Sequence, residues 1–260
     1  MTARRSGSGS SGSGRSGGGS TNRKLTVTHV TAALLLGRIE QGDNNLIVSL
    51  FTEQLGRVSA LARNAKNSRR RFGGSLEPMH TLSVSLDEAQ SELLMLREAS
   101  LRDARSTLIS SLSAMQCAGQ ALRWIKHAAP LRTPEPAVWR LIQALLSALD
   151  VPNTEQQVRL LLAEYGLQLL SALGWGLELD RCVRCGRACP PNKKAYVNAA
   201  KGGLVCRQCG MAKTVLSGAQ RARVAASARG QLGELQAEDC EIALDLVEQC
   251  LAAHANFMDS

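Results

Sequence analysis

The sequence predicts an α+β protein: an N-terminal OB-type β-barrel followed by an α-helical domain that carries an inserted four-cysteine zinc finger. Three observations predict it. About five short strand-like runs fall within the first hundred residues, the apolar period lengthens from two to about 3.6 residues beyond Asp103, and Cys182-x-x-Cys185 is followed by Cys206-x-x-Cys209. The 260 residues suffice for two modest domains, or for one domain with an insertion. The expected boundaries are a Ser/Gly/Arg tail over 1–24, the barrel over 25–102 and a helical domain over 103–260, with the finger over 180–212 inside it.

Residues 1–24 are almost wholly Ser, Gly and Arg and contain no acid. That composition cannot bury enough apolar surface to offset chain entropy, so a disordered basic tail or a linker is expected. Arg4-Arg5 resembles the start of a twin-arginine signal, but Ser and Gly stand where an apolar stretch belongs. Strands follow. Thr26–Ile39 is rich in Val, Thr and Leu, Gly42-Asp43-Asn44 is a turn, Leu46–Thr52 is apolar, and Gly56 turns into Arg57–Ala62. Thr81–Leu86 sets Leu82, Val84 and Leu86 on one face, and Leu93–Leu101 completes the set. Five short strands in so few residues suit a small closed barrel, for which the oligonucleotide-binding fold is the natural candidate.

Beyond Asp103 the sequence predicts one helix over Arg105–His127, a second capped by Thr133 with Pro134 in its first turn and running to Leu149, and a third capped by Asn153. Val158, Leu161, Leu162, Tyr165, Leu169 and Leu173 place the third helix in the core, and Gly174 ends it. Ser217–Ala228 and Ala237–Phe257 read as closing helices.

Each Cys-x-x-Cys brings two thiolates to one tight turn, and two such turns close a tetrahedral shell with no open position for water. One structural Zn2+ on Cys182, Cys185, Cys206 and Cys209 is therefore expected, against two disulfides or a reactive dithiol. Gly186 and Gly210 follow the second cysteine of each pair, where a metal-binding turn favours positive φ. Cys189 is either a spare ligand or a loop thiol. Cys117, Cys240 and Cys250 lie singly in helical patterns, which suits a reducing cytoplasm. No apolar run approaches the ~18 residues of a membrane span, so a soluble chain is expected.

Lys and Arg number 31 against 22 Asp and Glu, a net charge of +9 that points to a polyanionic partner. Between Gln54 and Leu76 there is no acid, while Arg57, Arg63, Lys66, Arg69, Arg70 and Arg71 supply the positive charge. In a flexible loop over Asn64–Gly74, guanidinium groups reach phosphates bidentately. Phe51 and Phe72 are the only barrel aromatics; Phe51 alternates into the core, which leaves Phe72 as the one stacking candidate. The expected grip is on backbone rather than bases, insensitive to sequence and steeply dependent on salt. The finger adds Arg181, Arg184, Arg187, Lys193, Lys194, Lys201 and Arg207. In the helical domain Trp139, Trp175 and Leu-rich stripes offer a partner surface, with Arg123, Lys126, Arg132 and Arg140 near its edge.

No enzyme motif is present. A zinc deaminase needs a His-x-Glu arm, a zinc protease needs two histidines four apart flanking a glutamate, and a nucleotide-binding loop needs Gly-x-x-x-x-Gly-Lys-Ser/Thr. The four histidines, at 29, 80, 127 and 254, are scattered.

Leu50-Phe51-Thr52, Leu55-Gly56-Arg57-Val58-Ser59-Ala60-Leu61-Ala62-Arg63, Ser68-Arg69-Arg70-Arg71-Phe72-Gly73-Gly74-Ser75-Leu76-Glu77-Pro78, Leu96-Arg97-Glu98-Ala99-Ser100-Leu101 and Leu173-Gly174-Trp175-Gly176-Leu177-Glu178-Leu179-Asp180-Arg181-Cys182 occur in that order. Together they resemble the RecO family of bacterial recombination mediators. The resemblance implies an OB barrel, a helical domain with a zinc finger, and non-enzymatic DNA repair in the RecF pathway. It further implies binding of single- and double-stranded DNA, strand annealing, and RecA loading with RecR on strands coated by single-strand-binding protein, in the cytoplasm at the nucleoid. Two features depart from the family: the N-terminal tail is extra, and Ala253-His254-Ala255-Asn256 with Met258-Asp259-Ser260 replaces a more basic ending. An RNA-binding zinc protein and a structural adaptor recruiting repair partners through the helical bundle are the alternative functions.

Overall fold

The computed structural model describes residues 27–73, 75–89 and 93–254; the tail expected over 1–24 and the end of the last expected helix lie outside them. Five strands close into a barrel in the order β1-β2-β3-β5-β4: β1 (Thr28–Gln41), β2 (Asn45–Thr52), β3 (Gly56–Ala62), β4 (Thr81–Asp87) and β5 (Leu94–Asp103). β1 is long enough to pair antiparallel with β2 through one half and with β4 through the other, and a parallel pairing of Ala60 and Leu61 with Leu94 and Met95 shuts the ring. This is the predicted OB-type barrel.

Alternation explains its interior. Ala33, Leu35, Val48, Leu50, Val58, Leu82, Val84, Leu86, Leu94 and Leu96 point inward and form one core. Thr31–Leu35 is buried without a break because the other face of β1 is also covered: Ala32 and Leu34, with Phe51 from β2, belong to the core of the helical domain. Phe51 meets Trp139 at 5.8 Å between ring centroids. Both residues thus fill the seam between barrel and helices, so Trp139, 7% exposed, is interior rather than part of an open partner surface.

The helical part comprises α2 (Ser106–Ser110), α3 (Leu112–Ala128), α4 (Pro136–Leu149), α5 (Glu155–Ala172), α6 (Gly218–Ala228) and α7 (Cys240–His254); α1, in the barrel, is Arg69–Phe72. The single helix expected over Arg105–His127 is broken at Ser111, whose extended backbone ends α2 and whose Oγ accepts from Ala114 N to start α3. Two expected caps shift. α4 starts at Pro136 behind Glu135 rather than at Thr133, and Thr154 rather than Asn153 caps α5, in a reciprocal pair with Gln157. α5 is the central helix, with Tyr165 stacked on Trp124. A β-carbon on Gly166 would lie 2.9 Å from Val247, so glycine lets α5 and α7 approach. Burial holds Cys117 and Cys250 up at about 11, the behaviour of inert core thiols.

The cysteine segment is not a separate bead. Its sheet, β6 (Ala195–Asn198), β7 (Gly203–Leu204) and β8 (Thr214–Leu216) in the order β7-β6-β8, contributes Ala195, Val197, Leu204 and Leu216 to the helical core. Further on, Arg223 of α6 donates from two nitrogens to the fully buried Asp239 ahead of α7, at 2.6 and 2.8 Å. Burial raises the Asp239 pKa, but hydrogen bonds from Arg223 and the Gln236 N–H outweigh it and leave it below the usual carboxylate value.

Gly56 joins the domains. Its φ is +66°, and an added Cβ would sit 1.9 Å from the Thr133 carbonyl oxygen. Gly56→Ala is expected to cost about 3 kcal/mol or more in urea unfolding, whereas Gly42→Ala, with similar φ and open space, costs about 1. Asp239 titrates in the opposite sense to a raised group. Its stabilisation is present above the ordinary carboxylate range and is lost as pH falls through its depressed folded value. The stability gap between wild type and Asp239→Asn is therefore expected to be large at pH 7 and to shrink in strongly acidic buffer.

Candidate nucleic-acid interface and metal centre

The acid-free stretch after β3 is more ordered than a flexible loop. Lys66 N donates to Asn44 O and Asn64 N to Asn45 Oδ1, so it lies against the β1–β2 turn. α1 then forms because Ser68 Oγ accepts from Arg71 N and Gly73, at φ +43°, ends the turn in the left-handed region. The Ser68 cap and Gly73 were legible signals that the run of charge obscured. Phe72 anchors the turn. It is 2% exposed, within the same barrel core cluster as Leu76 and with the Arg71 guanidinium over its ring, so the ring expected to stack on a base is not presented at the surface.

The cations divide into three groups. Arg63 and Arg70 are exposed with no ion pair among the described residues. Lys66 is held by Glu40 at 2.7 Å, and Arg71 donates to the Arg63 carbonyl and Ser68 Oγ while lying 5.0 Å over the Phe72 ring. Arg57 points elsewhere. Its Nε donates to Ala129 O at 2.9 Å, its carbonyl accepts from Arg132 N, and burial lowers its pKa. It is the clamp of the interdomain seam, a place that a charged residue in a strand does not announce. Burial and then the positive charges of Lys126, Arg57 and Arg123 lower the pKa of His127 there. Of Arg69, the backbone is placed in α1.

The four cysteines converge. The Sγ atoms of Cys182, Cys185, Cys206 and Cys209 all lie within 4.8 Å of one another, and Cys185 and Cys206 are 3.7 Å apart. Metal–sulfur bonds of about 2.3 Å in a tetrahedron require sulfur separations of about 3.8 Å, so this thiol set fits a closed metal site. The first turn is fixed by Gly186 N donating to Cys182 O and Cys182 N donating to Arg187 O; the second is a short 3-10 turn over Arg207–Cys209. Gly186 and Gly210 both have positive φ, as the spacing predicts. The Cys206 N–H donates to Cys182 Sγ and draws the Cys182 thiol down to about 6, whereas its crowded thiol neighbours, Cys206 foremost, push Cys209 up to about 12. All eight cysteines are free thiols, and Cys189 stands outside the four, beside Pro190.

One residue sequence reasoning missed is Arg221. It is 4% exposed, and its guanidinium donates to the carbonyls of Leu179, Cys189, Pro190 and Pro191 at 2.6–3.2 Å. It ties the loop bearing Cys182 and Cys185 to α6; arginine in a helix otherwise reads as surface.

A closed OB-type barrel fused to a helical domain with a four-thiolate centre defines a class of accessory proteins built around an oligonucleotide-binding scaffold. Two family models match, the recombination protein O N-terminal model over residues 27–105 and the C-terminal model over 109–257. The chain is 34% identical over 178 residues to the DNA repair protein RecO of Pelobacter propionicus, covering 68% of this chain and 70% of that protein. It is 32% identical over 207 residues to the DNA repair protein RecO of Anaeromyxobacter sp. strain Fw109-5, covering 79% and 78%, and 33% identical over 178 residues to that of Geobacter sulfurreducens, covering 68% and 71%. The chain belongs to the recombination protein O family, and membership carries a role in DNA repair and recombination. Among the described residues no helix is long and apolar enough to cross a membrane.

Arg221→Met is expected to lower unfolding stability by roughly 3 kcal/mol, because four backbone carbonyls lose the charged donor that a buried guanidinium supplies. Elemental analysis of the purified protein should give one metal ion per chain, lost in Cys185→Ser and retained in Cys189→Ser.

Proposed function

We propose that the protein is a non-enzymatic recombination mediator that holds DNA by its sugar-phosphate backbone and anneals complementary strands. The observation that carries this reading is the cationic turn at the end of an OB-type barrel in a chain of this family. Arg63, Arg70 and Arg71, with Lys66 and Arg69, supply the phosphate contacts, and Arg57 supports them by locking β3 to the helices. With Phe72 inside the barrel, no ring of the turn competes for base faces, so bases stay free to find their complements. The ligands are single- and double-stranded DNA; the partners are RecR and single-strand-binding protein, and the outcome is RecA loading, as the family resemblance implies. The setting is the bacterial cytoplasm. The resident metal is Zn2+, which four thiolates in a tetrahedron favour and which supplies a redox-inert cross-link. Cys182, Cys185, Cys206 and Cys209 hold it.

A fluorescence annealing assay with and without single-strand-binding protein tests this. Neutralising Arg63, Arg70 and Arg71 together to Gln should slow annealing at least about tenfold, and wild-type affinity for a single strand should fall by about a hundredfold from 50 to 200 mM salt. Salt-independent binding, or annealing unaffected by the triple change, would remove the barrel turn from the mechanism.

A further inference from the structure

A cavity of about 350 Å3 opens beside the thiolate centre, at the lower end of the roughly 300–1,000 Å3 typical of small-ligand sites. Pro190, Ala195, Tyr196, Leu204 and Val205 line it, and Cys182 and Cys206 form one side. Four cations, Arg187, Lys193, Lys194 and Arg207, surround it, and no carboxylate lines it. All four are exposed, and among the described residues none is in an ion pair. The barrel differs: Lys66 and Arg38 are each held by a glutamate, at 2.7 and 2.8 Å. Its Arg63 and Arg70 are nonetheless exposed with no ion pair among the described residues, so the cysteine module is a second uncompensated positive surface; it packs on α6 and α7, while the barrel packs on α3 and seats Phe51 against Trp139 of α4.

We propose that this cavity seats one unpaired nucleotide of a single-stranded nucleic acid, its base face against the apolar wall and its flanking phosphates on the four cations. An apolar wall is matched by a π-face, and a cationic rim by phosphate oxygens. A base within a duplex is stacked on both sides and enters such a cavity only at an unstacking cost of a few kcal/mol, so the seat selects single strands. An acidic peptide with an apolar anchor matches the mouth as well. Arg181, Lys201 and Lys213, however, continue the exposed positive surface of the module beyond the cavity, which suits a continuous polyanion better than a short segment held at one point. The seat rests on the strand-binding reading above and adds a second place on the same chain where a strand is held. An annealing protein with two such places brings two strands into one neighbourhood.

Fluorescence anisotropy of the full metal-loaded chain with a 20-nucleotide oligo-dT, an abasic oligonucleotide of equal length and a duplex, across salt, tests the seat. Wild type should bind oligo-dT more tightly than the abasic strand. The combined Arg187→Gln, Lys193→Gln, Lys194→Gln and Arg207→Gln variant should lose that preference, and its salt slope should fall by about 3, since four phosphate contacts at ~0.7 each are removed. Metal content and melting temperature verify its fold; if either changes, the Lys193→Gln, Lys194→Gln pair takes its place, with a slope change of about 1.4. Equal wild-type affinity for oligo-dT and abasic strands, or an unchanged slope in the variant, overturns the proposal. Loss of binding to a synthetic Asp-rich peptide with an intact DNA slope overturns it in favour of protein docking. The Arg63, Arg70, Arg71 variant run in parallel separates the two readings: it should keep the preference for oligo-dT over abasic DNA, and if neither variant alters DNA binding, both fail.

Discussion

β1 is buried on both faces over Thr31–Leu35, one face in the barrel and the other among the helices, and the architecture depends on that shared strand. A barrel of five strands has little interior of its own. Turning Ala32, Leu34 and Phe51 outward against the helical core extends the apolar area it buries without adding residues. The seam is then closed by groups that tolerate no slack: Gly56 under the Thr133 carbonyl, the Arg57 side chain on Ala129 O, and Arg105, buried at the entrance to α2, donating to Gln143 and Ser147 of α4. The barrel is consequently held at one fixed orientation, and the basic turn at its end faces solvent from a rigid base.

The same logic governs the cysteine module. Zinc fingers that stand alone need the ion to fold, because their few residues bury almost nothing. Here β6, β7 and β8 rest on the helical core, and Arg221 anchors the first knuckle. Packing thus takes a large part in placing the loops that carry the four cysteines, which leaves the outer surface of the module free to carry uncompensated charge.

The fold was largely legible because period carries it: alternation in β3 and β4, the longer repeat in α3 to α7, and cysteine spacing are one-dimensional signals of burial. What stayed hidden was any residue whose role depends on a partner far along the chain. Arg57 and Arg221 read as surface charge because nothing in sequence announces the carbonyls at Ala129 or Pro190 that they meet. Phe72 read as an available ring because its anchor role depends on the turn formed by Ser68 and Gly73, two capping signals inside a run of arginines. The break at Ser111 and the shifted caps at Glu135 and Thr154 are local choices among adjacent capping residues, settled by packing rather than by propensity.

Arg221 has one more consequence. A loop held by four backbone acceptors keeps Cys182 and Cys185 close to their liganding positions before any ion arrives. A cation taken up by the four thiols would dock into a prepared socket rather than collapse the chain around itself, and its removal by a chelator would leave the loop held by Arg221.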